Sequence, residues 1–282
     1  MYKLSEQQKV EFGKFEESLE QNTETVIKQI VEFMKFQQKN AKRPKAVVGI
    51  SGGIDSALTA TLLVMAMGKE NVIGVKMPYD GVSSNESTQY ANQLIEFLQL
   101  PKENVFEVSI TKAVDATLAG LKNASITIEP LDAGNVMARE RMKNLYAVAR
   151  VKNGMVIDTC NKTEVLLGYF TRYGDGASDY NPMGGIYKTQ VWQLSRRLNV
   201  PEEIITRKPS AELSLGQNDE DDLGISYAAV DLMLWLLDEK KVERQRLTDE
   251  YFYPQNAVEM VLSRIENNRF KNELPPLLKI EL

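Results

Sequence analysis

The sequence has 282 residues, 43% of them hydrophobic, which suffices for one large α/β domain with additions or for two small domains. A formal net charge of −5 without a long basic tract argues against a nucleic-acid partner, because phosphate backbones bind basic faces. The sequence contains no histidine and one cysteine, which excludes imidazole-based catalytic triads, zinc sites with histidine ligands and an intrachain disulfide.

The cellular location is predicted from the termini and the cysteine count. The first residues are too polar for a signal peptide, and no segment approaches the apolar length of a membrane span. A single cysteine fits a reducing compartment. We therefore expect a cytoplasmic protein without a membrane partner.

The first predicted elements are a helix and a buried strand. Apolar residues at helical spacing predict a helix over 18–38, which either covers a sheet or forms an oligomer contact. A charged linker at 42–45 leads into a β-branched run that predicts a strand over 46–50.

The strand runs directly into a glycine-rich loop, which precedes a helix predicted over 57–67. Gly52 and Gly53 let the backbone turn sharply and direct several N–H groups at one small volume, where the helix N-terminus favours an anion. Asp55 places a carboxylate in that volume, so the loop predicts Mg²⁺ as well as phosphate. It lacks the lysine of a Walker sequence. The alternative is a turn that uses glycine for its geometry alone.

Strands and helices then alternate along the chain. Apolar runs predict strands over 71–78 and 105–108. A helix opened by a capping box at Ser83 and Glu86 follows the first, and a helix over 111–121 follows the second. Because parallel strands need long crossovers, the alternation predicts an α/β fold. We expect a parallel sheet with helices on both faces and ligands at the carboxyl ends of its strands.

The fourth predicted strand, over 155–158, repeats the arrangement of the first loop, because it ends in small and polar residues before a helix at 165–170. Glu164 is either a first-turn residue favoured by the helix dipole or, if the two strands are neighbours, a ligand that shares Mg²⁺ with Asp55. Cys160 is expected to be packed rather than nucleophilic. Arg139 lies on a helix predicted to reach about 151, where arginines are mostly solvated.

Four motifs in order are more specific than any one of them. They are Ser-Gly-Gly-Ile-Asp-Ser at 51–56, the strand end with Thr159 and Glu164, Tyr-Gly-Asp-Gly-Ala-Ser-Asp at 173–179, and the pair Tyr187-Lys188. Together they resemble the ammonia-dependent NAD synthetases of the ATP pyrophosphatase (PP-loop) superfamily. The resemblance continues through 208–213, 217–220 and 270–276 and covers 45–276.

The resemblance implies a single NAD synthetase domain over 1–282, an α/β fold with a parallel sheet flanked by helices, of the adenine nucleotide alpha hydrolase-like type. Its parts would be an N-terminal helical segment at about 1–44, a PP-loop core at about 45–210, and a mobile loop with C-terminal helices at about 211–282. The acidic run at 219–222 is expected to be solvated in that loop.

The family also implies a homodimer with its dinucleotide site at the subunit interface. The apolar helices predicted over 226–237 and 255–265 are candidates for that contact, and both are equally suited to a core.

The resemblance assigns roles to individual residues. ATP would be bound by Gly49, Ile50, Ser51, Gly52, Gly53, Ile54, Asp55, Ser56, Thr159, Lys188 and Ser210. Mg²⁺ would be bound by Asp55 and Glu164. Deamido-NAD would be bound by Arg139, Arg172, Asp179, Phe270 and Lys271. The chain departs from the family pattern at Phe270, where histidine is frequent, and more conservatively at Ser210 and Arg172.

The implied reaction is the amidation of deamido-NAD by ammonia through an adenylated carboxylate, which gives NAD, AMP and pyrophosphate. Lys188 would neutralise charge on the transferring phosphoryl group, and Asp175 would take a proton from ammonium. Ammonia is expected as the donor, because a glutamine amidase would need a further domain. The alternatives are another adenylating amidase, such as a GMP synthase-like synthetase, and a regulatory protein that binds ATP without turnover.

Overall fold

The structure is a computed structural model that describes residues 1–210, 212–213 and 216–280. These residues form four strands and thirteen α-helices. The strands are β1 (Lys45–Gly49), β2 (Val72–Lys76), β3 (Val105–Glu107) and β4 (Gly154–Val156). The helices are α1 (Glu6–Glu20), α2 (Thr23–Ala41), α3 (Ile54–Met67), α4 (Asn85–Phe97), α5 (Thr111–Asn123), α6 (Pro130–Lys152), α7 (Lys162–Leu167), α8 (Lys188–Arg197), α9 (Glu202–Thr206), α10 (Asp219–Leu223), α11 (Tyr227–Asp238), α12 (Arg244–Asp249) and α13 (Gln255–Asn268). Within the described ranges, no helix is long and apolar enough to cross a membrane.

The four strands form one parallel sheet in the order β3-β2-β1-β4. Val47 of β1 lies opposite Ile73 of β2 on one side and Val156 of β4 on the other. The chain therefore leaves β1 toward one edge of the sheet and returns later to its other side. This change of direction opens a crevice at the carboxyl end of β1, where parallel sheets bind their ligands. The predicted parallel α/β fold is confirmed.

Strand β1 lies at the centre of the core, because Ala46, Val47 and Val48 are completely buried. Ala46 and Val48 pack in one apolar cluster with residues of α2, α3 and α8, whereas Val47 packs on the opposite face with residues of α6. Helices thus cover both faces of the sheet, which explains why the strand is continuously apolar in sequence. Helix α2 takes the covering position that was one of its two predicted roles.

A second apolar cluster joins α1 to the C-terminal helices α11 and α13. Nine residues of α11 are buried, so this helix belongs to the core rather than to an open surface. Phe15 of α1 packs against Trp235 and Tyr187 in this cluster, with ring centroids 5.5 Å apart in both pairs. The N- and C-terminal segments therefore support each other beside the sheet.

Several helix ends differ from the predicted ones because side chains cap the backbone there. The helix predicted over 18–38 is divided between α1 and α2, because the chain turns at Gln21 and Asn22. Helix α4 is capped by Ser84 rather than Ser83, whose hydroxyl instead accepts a hydrogen bond from the N–H of Tyr79. Helix α7 begins at Lys162, earlier than predicted, because Asn161 caps it.

The prediction of a solvated acidic loop is wrong for Asp219. This residue begins α10 and is 4% exposed, and its carboxylate accepts hydrogen bonds from the hydroxyl groups of Tyr169 and Tyr227. The two tyrosines replace water, which allows a charged group to be buried. Ala211, within the motif at 208–213, lies outside the described residues.

Candidate functional site

A cavity of about 290 Å³ lies at the carboxyl ends of β1, β2 and β4. It is lined by residues of the loop 49–56 other than Gly52, and by the remaining residues predicted to bind ATP: Thr159, Lys188 and Ser210. The fold therefore brings the predicted ATP-binding residues to one place, although they are far apart in sequence.

Hydroxyl groups hold the glycine-rich loop in shape. Ser51 Oγ accepts a hydrogen bond from the N–H of Gly53 and lies 3.1 Å from Ser56 Oγ. Ser56 Oγ donates to the carbonyl of Gly53 at 2.9 Å. Because Ser56 belongs to the first turn of α3, these bonds tie the loop to the positive end of that helix. The loop is thus held in one conformation by its own side chains, with the shape that the predicted anion site requires.

Gly52 shapes the loop rather than lining the cavity. Its φ of +81° lies in the left-handed region, and a Cβ added there would stand 2.4 Å from the carbonyl oxygen of Ser87 in α4. A side chain at this position would require the backbone of one element to move. The glycine is therefore required both by its own conformation and by the close approach of α4.

Lys188 is the centre of the charge network in the cavity. Its Nζ donates to Asp55 Oδ2 at 2.5 Å and lies 3.8 Å from Glu164 Oε1. Asn161 Nδ2 donates to Asp55 Oδ1 at 2.9 Å, and the same residue caps α7 by accepting from the N–H of Glu164. Since Asp55 follows β1 and Glu164 follows β4, the adjacency of these two strands places both carboxylates beside Lys188, and their predicted sharing of Mg²⁺ stays a prediction.

Burial and neighbouring charges decide the protonation of this network. Burial disfavours the charged form of Lys188, but attraction to Asp55 and Glu164 outweighs it and raises the pKa of Lys188. Burial, followed by repulsion from Asp55, raises the pKa of Glu164 well above the ordinary carboxyl range. Lys188 therefore carries a fixed positive charge at neutral pH beside Asp55 and Glu164.

Asp175 and Cys160 line the wall of the cavity beside β4. Asp175 Oδ1 accepts a hydrogen bond from the N–H of Thr171 at 2.9 Å, and its side chain is exposed to the cavity. Burial raises the pKa of Asp175, and hydrogen bonds from the Thr171 segment together with the charge of Arg141 oppose that rise. Cys160 is 5% exposed, and burial raises the pKa of its thiol well above the usual value. It is a packed residue, in keeping with the expectation from sequence.

Arg139, Arg172 and Phe270, which were predicted to bind deamido-NAD, form a cluster outside this cavity. Arg139 Nε donates to the carbonyl of Arg172 at 3.4 Å. The Arg172 guanidinium lies 5.4 Å from the ring centroid of Phe270 and 4.9 Å from that of Tyr173. Phe270 thus contacts a cation through its ring, at the position where the family pattern has histidine.

Lys271 and Asp179 bind the protein backbone in this structure. Lys271 Nζ donates to the carbonyls of Gly168 and Phe170 at 2.7 and 3.0 Å, and burial lowers its pKa. Asp179 Oδ2 accepts from the N–H of Val156 at 2.7 Å, at the end of β4. The predicted role of these two residues in dinucleotide binding stays a prediction.

Arg207 and Glu212 belong to the site but were not predicted from sequence. Arg207 Nη2 donates to Glu212 Oε1 at 2.5 Å, and its Nη1 donates to the carbonyl of Gly52 at 3.2 Å. Glu212 also accepts from Ser84 and Ser87 at the start of α4. The segment that carries Ser210 is thereby attached to the glycine-rich loop. In the sequence, the only indication of a role for Arg207 was its position immediately before the motif at 208–213.

Arg141 is a further cation of the cavity wall that sequence reasoning missed. Its Nε donates to the carbonyl of Met77 at 3.3 Å, and burial lowers the pKa of its guanidinium. It lies two residues after Arg139, and the helical period directs the two side chains to different sides of α6. The helical period could therefore have indicated from sequence that Arg141 and Arg139 point to different places. Arg141 faces the cavity, and Arg139 faces the surface cluster.

Asp55 and Glu164 fit a Mg²⁺ site in the chemistry of their donors. Mg²⁺ is bound by hard oxygen ligands, commonly one or two carboxylates together with water and substrate phosphate. Across the described residues, no group of three or more acidic, histidine or cysteine side chains is arranged to hold a metal ion. Water and ATP phosphates would therefore have to supply the remaining ligands.

Comparison with known proteins gives the same assignment as the motifs. Residues 26–275 match the family model described as NAD synthase. The NH₃-dependent NAD⁺ synthetase of Methanosarcina acetivorans is 44% identical over 248 residues, which cover 88% of this chain and 95% of that protein.

Two solved structures resemble this fold over nearly their whole length. One is described as NMN synthetase from Francisella tularensis and has a TM-score of 0.79 and 32% identity, covering 91% of this chain and 98% of that one. The other is an NH₃-dependent NAD synthetase from Campylobacter jejuni in complex with the nitrate ion, with a TM-score of 0.75, 32% identity and coverages of 91% and 99%. The resemblance inferred from the motifs is confirmed, and the chain belongs to the NAD synthase family.

Proposed function

We propose that the protein catalyses the ATP-dependent amidation of deamido-NAD by ammonia, giving NAD, AMP and pyrophosphate. As a member of the NAD synthase family it is a ligase that forms NAD. The observation that carries the site assignment is the contact of Lys188 with Asp55 and Glu164 in a cavity lined by the glycine-rich loop. A fixed cation beside a phosphate-binding turn is suited to breaking ATP between its α- and β-phosphates.

In the first step, an oxygen of the nicotinate carboxylate attacks the α-phosphorus of ATP. The bond from the α-phosphorus to the bridging oxygen breaks, and pyrophosphate leaves. The Ser51 hydroxyl and the N–H groups at the start of α3 bind phosphate oxygens, and protonated Lys188 stabilises the charge that moves to pyrophosphate. Adenylation is needed because a free carboxylate is a poor acceptor for ammonia.

In the second step, the nitrogen of ammonia attacks the carbonyl carbon of the adenylated carboxylate. The carbon–oxygen bond to AMP breaks with its electron pair leaving on the AMP phosphate, and the nitrogen releases one proton to solvent as the amide forms. Asp175 accepts a proton from ammonium, and its exposure to the cavity allows contact with a small cation.

Asp55 and Glu164 would hold Mg²⁺, which when bound supplies positive charge to the phosphate oxygens of ATP. Asn161 orients both carboxylates for this role, because it donates to Asp55 and caps the helix that carries Glu164. Burial, and after it repulsion from Asp55, raises the pKa of Glu164, so a cation bound there would favour its charged form.

We also propose a cytoplasmic homodimer. The surface cluster around Arg172 leaves Tyr173 and Phe270 more than half exposed, at 52% and 53%, so a second subunit has access to it. A free, buried thiol at Cys160 suits a reducing compartment. Sizing over a wide dilution range tests the dimer, and a monomer at every concentration would refute it.

The activity is tested by incubating the protein with ATP, Mg²⁺, ammonium and deamido-NAD and measuring AMP and NAD. Equal amounts of both products are expected, and glutamine in place of ammonium should give neither. Xanthylate is the parallel substrate for a GMP synthase-like activity, and ATP binding without AMP release would favour a regulatory protein. Nicotinate mononucleotide is included because of the similarity to an NMN synthetase. Preference for it over deamido-NAD would overturn the proposed substrate.

A further inference from the structure

Asp231 is a buried carboxylate whose partners lie on two other helices. It belongs to α11, is 0% exposed, and lies among the residues of the second apolar cluster, which joins α1 to α11 and α13. Its Oδ1 accepts from Thr163 Oγ1 at 2.5 Å. Its Oδ2 accepts from the N–H and Oγ1 of Thr189 at 2.7 and 2.8 Å. One carboxylate thus receives three hydrogen bonds, from the first turns of α7 and α8.

These two turns carry the charged groups of the cavity. Thr163 directly precedes Glu164, and Thr189 directly follows Lys188. The two turns are also bonded to each other, because Thr163 Oγ1 accepts from the N–H of Lys188 at 3.0 Å. A shift of Asp231 would therefore move the backbone at both groups that surround Asp55.

We propose that Asp231 is a positioning residue, which sets Glu164 and Lys188 against Asp55 by joining the first turns of α7 and α8. It does not line the cavity, so its effect on the reaction passes through those two residues. This role rests on the proposed function of the same site.

The chemistry of the Asp231 hydrogen bonds indicates that they fix the geometry of the two helix ends rather than add stability. A buried carboxylate costs solvation free energy, and an apolar residue among the neighbours of α11 would avoid that cost. Hydrogen bonds to a charged acceptor are short and directional, which holds two helix ends in one relative orientation. A further link from α7, the ion pairs of Lys162 with Asp238 and Glu239, lies nearer the surface, where the two carboxylate side chains are 42% and 48% exposed.

The test compares Asp231→Asn with Val230→Ala. Val230 is the adjacent, fully buried residue of α11, and its apolar side chain has no hydrogen-bonding group, so its truncation reports loss of packing. Asparagine keeps the volume of Asp231 but removes its charge and one acceptor. We expect Asp231→Asn to lower kcat for AMP formation by about tenfold or more while KM for ATP changes by less than about threefold. Val230→Ala should keep the kcat of the wild type per folded molecule.

A second readout needs no substrate. Lys188 is 2% exposed, so an amine-acetylating reagent should label it slowly in the wild-type protein and in Val230→Ala, with the exposed lysines as internal references. Release from Asp55 should make Lys188 react at least about threefold faster in Asp231→Asn. If wild-type protein forms no NAD, the proposed function fails, and this labelling still tests the positioning role.

Thr189→Val keeps the test decisive if Asp231→Asn does not fold. It removes one hydrogen bond to Asp231 at nearly constant volume and should lower kcat several-fold, whereas Thr189→Ser should lose less. The proposal is overturned if folded Asp231→Asn, or Thr189→Val in its place, matches Val230→Ala in both kcat and Lys188 labelling.

Discussion

Replacement of Lys188 by methionine tests whether its ammonium holds the two carboxylates of the cavity together. The side chains of Lys188, Asp55 and Glu164 are 2%, 19% and 15% exposed, so the variant leaves two largely buried carboxylates without a cation. Removing one partner of a buried ion pair costs about 3–5 kcal/mol. Protonation of Glu164, whose pKa burial and Asp55 already raise, limits the loss to the lower end of that range. In a domain of this size the expected fall in Tm is about 6 °C.

The assay is urea and thermal unfolding at pH 7.5, with EDTA and then with Mg²⁺. Mg²⁺ should stabilise Lys188→Met more than the wild type, because the variant carboxylates lack a cation. The matched control is Lys9→Met, which breaks an ion pair to Glu6 in which the two side chains are 58% and 88% exposed. That change should cost less than about 1 kcal/mol. Equal stabilities of the two variants in EDTA, or equal responses to Mg²⁺, would refute the reasoning.

Three further outcomes are expected. Gly52→Ala should destabilise the protein and weaken ATP binding about tenfold, because its Cβ would meet the carbonyl of Ser87; Gly81→Ala, at a φ of +84° in open space, carries the backbone strain without the clash and should leave ATP binding unchanged. Asp175→Asn should slow amidation but leave adenylate formation, measured as pyrophosphate release, unchanged. Loss of adenylate formation instead would show that Asp175 is not the proton acceptor. Burial raises the pKa of Asp231 to about 6, from about 4 in the unfolded chain. Between about pH 4 and about pH 6, Asp231 therefore holds a proton in the folded protein that it has lost in the unfolded chain. The unfolding free energy of the wild type, relative to Asp231→Asn, should therefore fall by roughly 3 kcal/mol as pH rises from about 4 to about 6, and parallel stability curves would contradict this.

Local sequence was sufficient for the elements whose causes are local. The β-branched run at 46–48, two glycines and an uninterrupted apolar helix predict a strand, a turn and a helix, and the structure has them at β1 and α3. The alternation of such units predicts a parallel sheet, and the carboxyl ends of neighbouring strands predict that Asp55 and Glu164 meet. Each of these inferences depends on spacing and residue type over a short range.

Other parts of the site depend on contacts between distant segments. Glu212 reaches Ser84 and Ser87 across about 125 positions of sequence, and this contact attaches the segment around Glu212 to the start of α4. Asp219 was assigned to solvent on charge alone, whereas two tyrosine hydroxyl groups provide a buried place for it. Such partners have no local pattern, because a side-chain hydrogen bond between helices leaves no period in either sequence.

The sequence by itself determined the α/β class, the glycine-rich turn between β1 and α3, and the family, because these depend on local periodicity and on ordered motifs. Only the tertiary structure decided that Lys188 lies between Asp55 and Glu164, that Arg141 and Arg207 join the same wall, and that Asp231 ties two helix ends together. The physical reason is burial: a charged side chain is stable inside the protein only where other elements bring its partners, and that arrangement exists only once the helices have packed.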